Sequence, residues 1–387
     1  MEILDSIFLN TKKIFLDLLG CWLPDWMILL VNIGIIIGVI AVLGPVIMMY
    51  LTLLERKIIG RMQNRIGPNR VGIFGILQPI ADGIKMFTKE DIIPQNADKI
   101  VHFLAPVLMV IPALLAFAVL PFGRGMIPVN LNVGLLFFIA VSSTSTICVF
   151  MASWASRNKF SILGGMRSAA QMISYEIPMV LSVVPVILSA ESLSTYAIVE
   201  AQARWSGLHW FVFTPWGLLA FIIFFLCGVA ECNRSPFDLP EAESEIVAGF
   251  HTEYSGMKFA LFYMAEYMNT FTVSALAATL FLGGWEGPVL PSWLWFFIKT
   301  HALIFVMFWF RGTLPRFRVD QLMGLAWKLF LPLTLINIFV AGGYHLISDR
   351  NFRVAGASAV LLVSFLLFTV FLNRKYMPEK RRYDLVD

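Results

Sequence analysis

The run 215–282 decides how this chain is read. It opens with "PWGLLAFIIFFLCGV" (215–229) and continues as "AECNRSPFDLPEAESEIVAGFHTEY" (230–254). After "SGM" it closes with "KFALFYMAEYMNTFTVSALAATLFL" (258–282). Two continuous apolar stretches enclose six carboxylates, Glu231, Asp238, Glu241, Glu243, Glu245 and Glu253, with one strong cation, Arg234, and one histidine, His251. Apolar runs of this length are what a bilayer core of roughly 20 helical residues demands. Continuous rather than alternating hydrophobicity selects helices over barrel strands.

The rest of the chain agrees. Of 387 residues, 58% are hydrophobic and 14% charged, against about 25% charged in a soluble domain. Mean hydropathy is +0.78. Nine spans are expected, at 27–54, 101–121, 133–154, 170–190, 214–229, 259–282, 294–310, 328–346 and 355–372. The fold class is therefore all-α: a polytopic membrane helical bundle of about nine transmembrane helices. The whole chain, 1–387, reads as one integral membrane domain. The segment 1–25 has no small-residue cleavage site and reads as a short surface helix rather than a signal peptide.

Orientation follows from lysine and arginine. The connections after spans 1, 3, 5 and 7 and the C-terminal tail hold 22 of the 29. The positive-inside rule places these in the cytoplasm and the N-terminus outside. The net charge of +4 is accounted for by these loops and implies no nucleic acid. Cys21, Cys148, Cys227 and Cys232 form no C-x-x-C pair and no metal-ligand array. No G-x-G-x-x-G or Walker loop is present. The chain is thus expected to hold no metal, flavin, iron–sulfur or nucleotide site and no complete catalytic site of its own.

Two long cytoplasmic connections carry most of the chemistry. The first lies within "LLERKIIGRMQNRIGPNRVGIFGILQPIADGIKMFTKEDIIP" (53–94). Leu77, Ile80, Ile84 and Phe87 recur at helical spacing, with Asp82, Lys85 and Lys89 off that stripe. This predicts an amphipathic interfacial helix over 76–90. A basic segment meeting anionic lipid is the alternative reading. The second connection is the acidic loop. Asp238 and Pro240 form a helix-start signal, Glu241 and Glu245 share a face, and Gly249 can end the helix. A solvated acidic helix is the alternative. Against it stand Phe237, Leu239, Ile246, Val247 and Phe250, which would hold the loop against membrane or protein and desolvate its acids.

Glu176 and Glu266 fall inside spans, where facing lipid would cost about 3 kcal/mol each on insertion scales. Both are expected to face protein or water on a proton path. Pro178 and Pro185 are expected to break span 4 near Glu176. Glu55 at the end of span 1, and Lys299 and His301 at the start of span 7, are placed at the interface. Asn32 and the Ser/Thr cluster 142–146 read as helix-packing groups.

Four segments carry a resemblance: "ERKIIGRMQNRIGPNRVGIFGILQPIADGIKMFTKEDIIP", "SYEIPM", "AECNRSPFDLPEAESEIVAGFHTEYSGMKFALFYMAEY" and "RGTLPRFRVDQLMGLAWKLFLPLT". They resemble the family of the membrane H subunit of respiratory complex I, which includes mitochondrial NADH dehydrogenase subunit 1. The resemblance covers roughly 27–346. Span 355–372 looks like a C-terminal extension found in some members.

The resemblance implies a non-redox subunit of a proton-translocating NADH:quinone oxidoreductase in the bacterial cytoplasmic (inner) membrane. Its implied partners are the other membrane subunits, the peripheral-arm quinone-site and iron–sulfur subunits, and membrane lipid. FMN and iron–sulfur clusters would lie in those partners, with a quinone such as ubiquinone as substrate. On the family motifs, Arg56, Arg65, Asp82, Lys85, Phe87, Phe262 and Arg311 are assigned to the quinone chamber, with Phe259 and Tyr263 as further tail-lining candidates. Glu55, Glu176, Glu231, Asp238, Glu241, Glu243, Glu245, Glu253 and Glu266 are assigned to the coupling path. Two alternatives stand beside this reading. One is a stand-alone cation/proton transporter, against which the missing internal repeat weighs. The other is the homologous component of a membrane-bound hydrogenase or of a ferredoxin- or F420-linked complex.

Overall fold

A computed structural model of the protein describes residues 2–20, 24–203, 210–239, 247–347 and 350–376. Every named regular element among them is a helix. The helix α1 (Glu2–Gly20) precedes the long α2 (Asp25–Met62), and α3 (Gln78–Thr88) lies in the connection that follows α2. Next come α4 (Lys99–Ala116), α5 (Gly134–Ala155), α6 (Lys159–Ala190) and the short α7 (Thr195–Ala203). They are followed by α8 (Pro215–Glu231), α9 (Gly256–Phe281) and α10 (Ser292–Thr313). α11 (Val319–Leu325) runs through a π-helical turn, Ala326–Phe330, into α12 (Leu331–Leu346). α13 (Arg350–Tyr376) packs on α12 and α8.

Each of the nine expected spans is a helix, and among the described residues seven helices are long and apolar enough to cross a membrane. The other two fall short for different reasons. α8 has 17 residues, about 25 Å of helix against a hydrocarbon core of about 30 Å. α9 has 26 residues but carries buried Thr270, Thr272, Ser274 and Thr279. It packs against α2, α3, α4, α8 and α10. A helix enclosed by protein needs no lipid-facing apolar stripe, and its hydroxyls are satisfied by carbonyls one turn back, such as Ser274 Oγ to Thr270 O at 2.8 Å.

Helix starts follow local chemistry. Asp98 accepts from the Ile100 and Val101 amides, Asn158 from the Phe160 amide and Thr214 from the Gly217 amide. Pro178 and Pro185 do not break the fourth span, contrary to expectation. α6 runs without interruption from Lys159 to Ala190. Each proline removes only its own N–H, and neighbouring helices hold the chain on course. The interfacial helix is two residues shorter at each end than its apolar stripe suggested, and Ile80, Ile84 and Phe87 remain exposed on it.

Between membrane helices, apolar burial supplies little drive, so close backbone approach matters more. Gly164 and Gly165 provide it on α6. A Cβ on Gly164 would lie 2.6 Å from the Gly249 Cα, and one on Gly165 would collide with Ser153 Oγ. The first contact seats the 249–251 turn on α6, and Ser161 Oγ donates to Phe250 O at 3.0 Å beside it. Replacing Gly164 by valine is therefore expected to displace that turn and lower the melting temperature of the purified protein by several degrees. Gly83→Ala, where a Cβ meets open space, is expected to be neutral or to stabilise α3 by about 1 kcal/mol.

Candidate functional site

Glu55 is the centre of the site. α2 continues about two turns beyond it, so it caps nothing and is 3% exposed. The interface position expected for it is incorrect, because the helix outlasts its apolar run. Three other elements converge on its carboxylate. Arg234, in the turn after α8, reaches Oε2 at 3.2 Å. Tyr267 on α9 donates to Oε2 at 2.7 Å. Arg311, at the end of α10, binds Oε1. The Arg234 guanidinium also lies 4.2 Å from the Tyr267 ring centre, within cation–π range. Burial works against the Arg234 charge, but Glu55, Tyr267 and Glu266 together more than offset this and hold the guanidinium above its ordinary value.

Beside this hub is a cavity of about 10 Å³, lined by Asn233, Arg234, Ser235, Asp238, Tyr263, Glu266 and Arg311. It has room for about one water. Glu266 is buried and close enough to Arg234 to favour its charge. Asp238 pairs with Arg316 at 2.8 Å. These contacts bring Glu55, Asp238 and Glu266 into one cluster. Glu241, Glu243 and Glu245, with the helix expected after Asp238, lie outside the described residues.

A second group of acids forms deeper in the bundle. Glu231 ends α8 and lies within electrostatic reach of Glu176 on α6. Ser143 on α5 donates to Glu176 Oε1, and Ser142 is within hydrogen-bonding reach of Glu231. The packing role expected of this Ser/Thr cluster is thus incomplete. Glu253 lies apart from both groups. It accepts from Asn158 Nδ2 at 2.6 Å, at a cleft of about 450 Å³ that Asn96, Arg157 and Lys159 also line.

At the end of the bundle that bears α3, Arg56 pairs with Asp82 at 2.6 Å, and Lys85 lies 3.8 Å from the same carboxylate. Arg65, which donates to Gln63 at 2.7 Å, lines a cleft of about 830 Å³ with Arg56, Arg70 and Gln78. α2, α3 and α9 pack together here. Phe87 is 73% exposed, while Phe262 is 1% exposed and packs edge-on to Phe250 and Tyr254. Phe262 is therefore enclosed by protein rather than lining open space. The Phe259 and Tyr263 rings are tilted against each other with centres 4.7 Å apart, and both meet His251.

Lys299 also differs from its expected interface position. It is 6% exposed and donates to the carbonyls of Leu282, Gly284 and Glu286 at 2.6, 3.0 and 2.6 Å. It thereby binds carbonyls left open after α9. His301 Nδ1 lies 2.7 Å from Phe297 O and its ring packs on Tyr50. Sequence reasoning missed Tyr267, Ser142 and Ser143 as partners of acids. Only Tyr267 left a signal, as the neighbour of Glu266.

A helical bundle of apolar spans with buried, mutually paired acids and bases defines a class: multi-pass membrane proteins with a polar network inside the bundle. Similarity to known proteins narrows it. Residues 34–342 match the family model described as NADH dehydrogenase. The second NADH-quinone oxidoreductase H subunit of Geobacter metallireducens is 52% identical over 314 residues, covering 76% of this chain and 89% of its own. The H subunit of Dehalococcoides mccartyi is 49% identical over 349 residues, covering 89% and 96%. The second H subunit of Syntrophobacter fumaroxidans is 47% identical over 334 residues, covering 84% and 98%. The chain belongs to the H-subunit family of NADH-quinone oxidoreductase, complex I. It is a multi-pass membrane component of that enzyme, with the other subunits of the complex as partners.

Two outcomes follow from this geometry. Glu55→Ala leaves Arg234 buried without its carboxylate, at a cost of about 3–5 kcal/mol. Loss of assembled complex on native gels is the expected readout, with Glu55→Gln less severe. His251 behaves differently. Burial lowers its pKa to about 4, with the Asp238 carboxylate opposing the shift. The unfolded chain takes up this proton below about pH 6.5 and the folded ring does so only near 4, so stability falls as pH drops between them, by up to about 3 kcal/mol. Melting measured from pH 7 to 5 should show a shallower decline for His251→Asn than for the wild type.

Proposed function

We propose that this protein forms the wall of the quinone chamber at the junction with the peripheral arm, and that its acids couple quinone reduction to proton translocation. The observation that carries this reading is the Glu55 hub. It joins the helix that bears Arg56, and so the arginine-lined cytoplasmic cleft, to Arg234, Arg311 and Tyr267. A charge change at the cleft is thereby transmitted to groups that water scarcely screens. At an effective dielectric of 20, two charges 4 Å apart interact by about 4 kcal/mol, enough to move a neighbour by more than one pKa unit.

Reduction of a quinone to a quinol takes two electrons and two protons. The electrons come from iron–sulfur clusters, and before them FMN, in partner subunits. The chain's own residues bind and position. Arg56, Arg65, Asp82, Lys85 and Phe87 face the chamber, Phe262 backs its wall, and Arg311 ties it to Glu55. Glu55, Asp238, Glu241, Glu243, Glu245, Glu253 and Glu266 respond by changing protonation, and their titration belongs to the group rather than to one acid. Glu231 and Glu176 receive the proton or the electrostatic signal next. We place the protein in a bacterial inner membrane as one integral domain, with its N-terminus outside, its basic loops and C-terminus in the cytoplasm, and α13 as an added helix on the 27–346 core.

Glu241→Gln and Glu243→Gln are expected to lower coupled quinone reductase activity severalfold in complexes that still assemble. Full activity with normal pumping in reconstituted vesicles would contradict the role given to the loop. For Glu176→Gln the proton-transfer defect should exceed the assembly defect, and an assembly failure alone would mark a structural residue.

A further inference from the structure

Ser142 and Ser143 are consecutive on α5, and each hydroxyl donates to Ile139 O at 2.9 Å. Ser143 Oγ also meets Glu176 Oε1, and Ser142 is within hydrogen-bonding reach of Glu231. Glu231 Oε2 is buried and has no hydrogen-bond partner among the described residues. The next hydroxyl, on Thr144, is exposed and donates only to Val141 O at 2.7 Å, which is all that back-bonding on a helix requires.

We propose that Ser142 and Ser143 form a hydroxyl relay that carries a proton between Glu231 and Glu176. The relay rests on the coupling role assigned above to those two acids. A hydroxyl has one proton and two lone pairs. With Ile139 O taking that proton, the oxygen accepts from a neutral carboxyl. With the carboxyl ionised, the hydroxyl turns to it instead. Each serine thus has two settings, chosen by its own acid. In the transfer step neutral Glu231 gives its proton to Ser142 Oγ. The Ser142 hydroxyl proton passes to Ser143 Oγ, directly or through one water, which two hydroxyls on a single carbonyl are close enough to share. The Ser143 proton then goes to the Glu176 carboxylate. Three O–H bonds break and three form, or four of each when a water intervenes, and one proton has moved from Glu231 to Glu176. Rotation about Cβ–Oγ back to Ile139 O resets both serines.

The test uses the whole complex in proteoliposomes, with coupled quinone reduction, proton translocation and the solvent deuterium isotope effect measured together. The pair Ser142→Val and Ser143→Val is expected to lower the coupled rate about tenfold, with quinone KM unchanged and a larger isotope effect. The isosteric threonine pair should restore the rate to within about twofold, as the hydroxyl alone distinguishes it. Thr144→Val should behave as wild type. If the valine pair does not assemble, the alanine pair decides, since it deletes both hydroxyls and adds no bulk. A hydroxyl-free pair at the wild-type rate and isotope effect overturns the relay, and so does a threonine pair as impaired as the valine pair. Glu231→Gln and Glu176→Gln run in parallel. If they lose coupling while the hydroxyl-free serines keep it, the relay alone falls. If the glutamine variants are themselves fully coupled, the parent reading falls with it.

Discussion

The Glu55 carboxylate carries the arrangement on which everything else depends. Placing it in the bundle costs several kcal/mol of solvation, and a single cation seldom returns that amount. Here the carboxylate meets Arg234, Arg311 and the Tyr267 hydroxyl at once. Each partner comes from a different element, so α2, α9, α10 and the turn after α8 are held in one register. Buried ion pairs are weak evidence for stability, because an apolar replacement often does as well. What this one provides is a defined position for a carboxylate beside a water-sized cavity that Glu266 and Asp238 also line.

From the hub the polar groups divide in two directions. Toward the end of the bundle that bears α3 lie Arg56, Asp82 and the arginine-lined cleft, bordered by the exposed apolar face of α3. Toward the membrane interior lie Glu231 and Glu176, each served by a serine of α5. α9 passes between them with almost no exposed surface, which explains both its polar content and its place at the centre. Protein rather than water therefore separates the cleft from the interior acids, and across protein charges are felt more strongly.

Much of this was legible in the sequence. Nine apolar runs marked nine helices because hydropathy reports the lipid environment directly. The charged motifs are recognised through their resemblance to a family, and the identity to its bacterial members bears out that recognition. Positions set by tertiary contact were not legible. Glu55 was assigned to a helix end because the apolar run stops there, whereas α2 continues. α6 starts eleven residues before its expected span because "KFSILGGMRSAA" is small and polar where it meets protein. Ser142 and Ser143 looked like ordinary packing residues, since a helical serine gives no sign of which acid faces it across the bundle. Lys299 was hidden for the same reason: its three carbonyl partners lie in a turn that its own stretch does not contain.

The central claim is that buried carboxyls of this protein change protonation when quinone is reduced in a neighbouring subunit. Redox-induced infrared difference spectroscopy of the whole complex, wild type against Glu231→Gln, tests it most directly. The account predicts a carboxyl C=O stretch signal that appears on quinone reduction and is lost or shifted in the variant. Identical carboxyl regions in the two spectra, from complexes that both turn over, would contradict it.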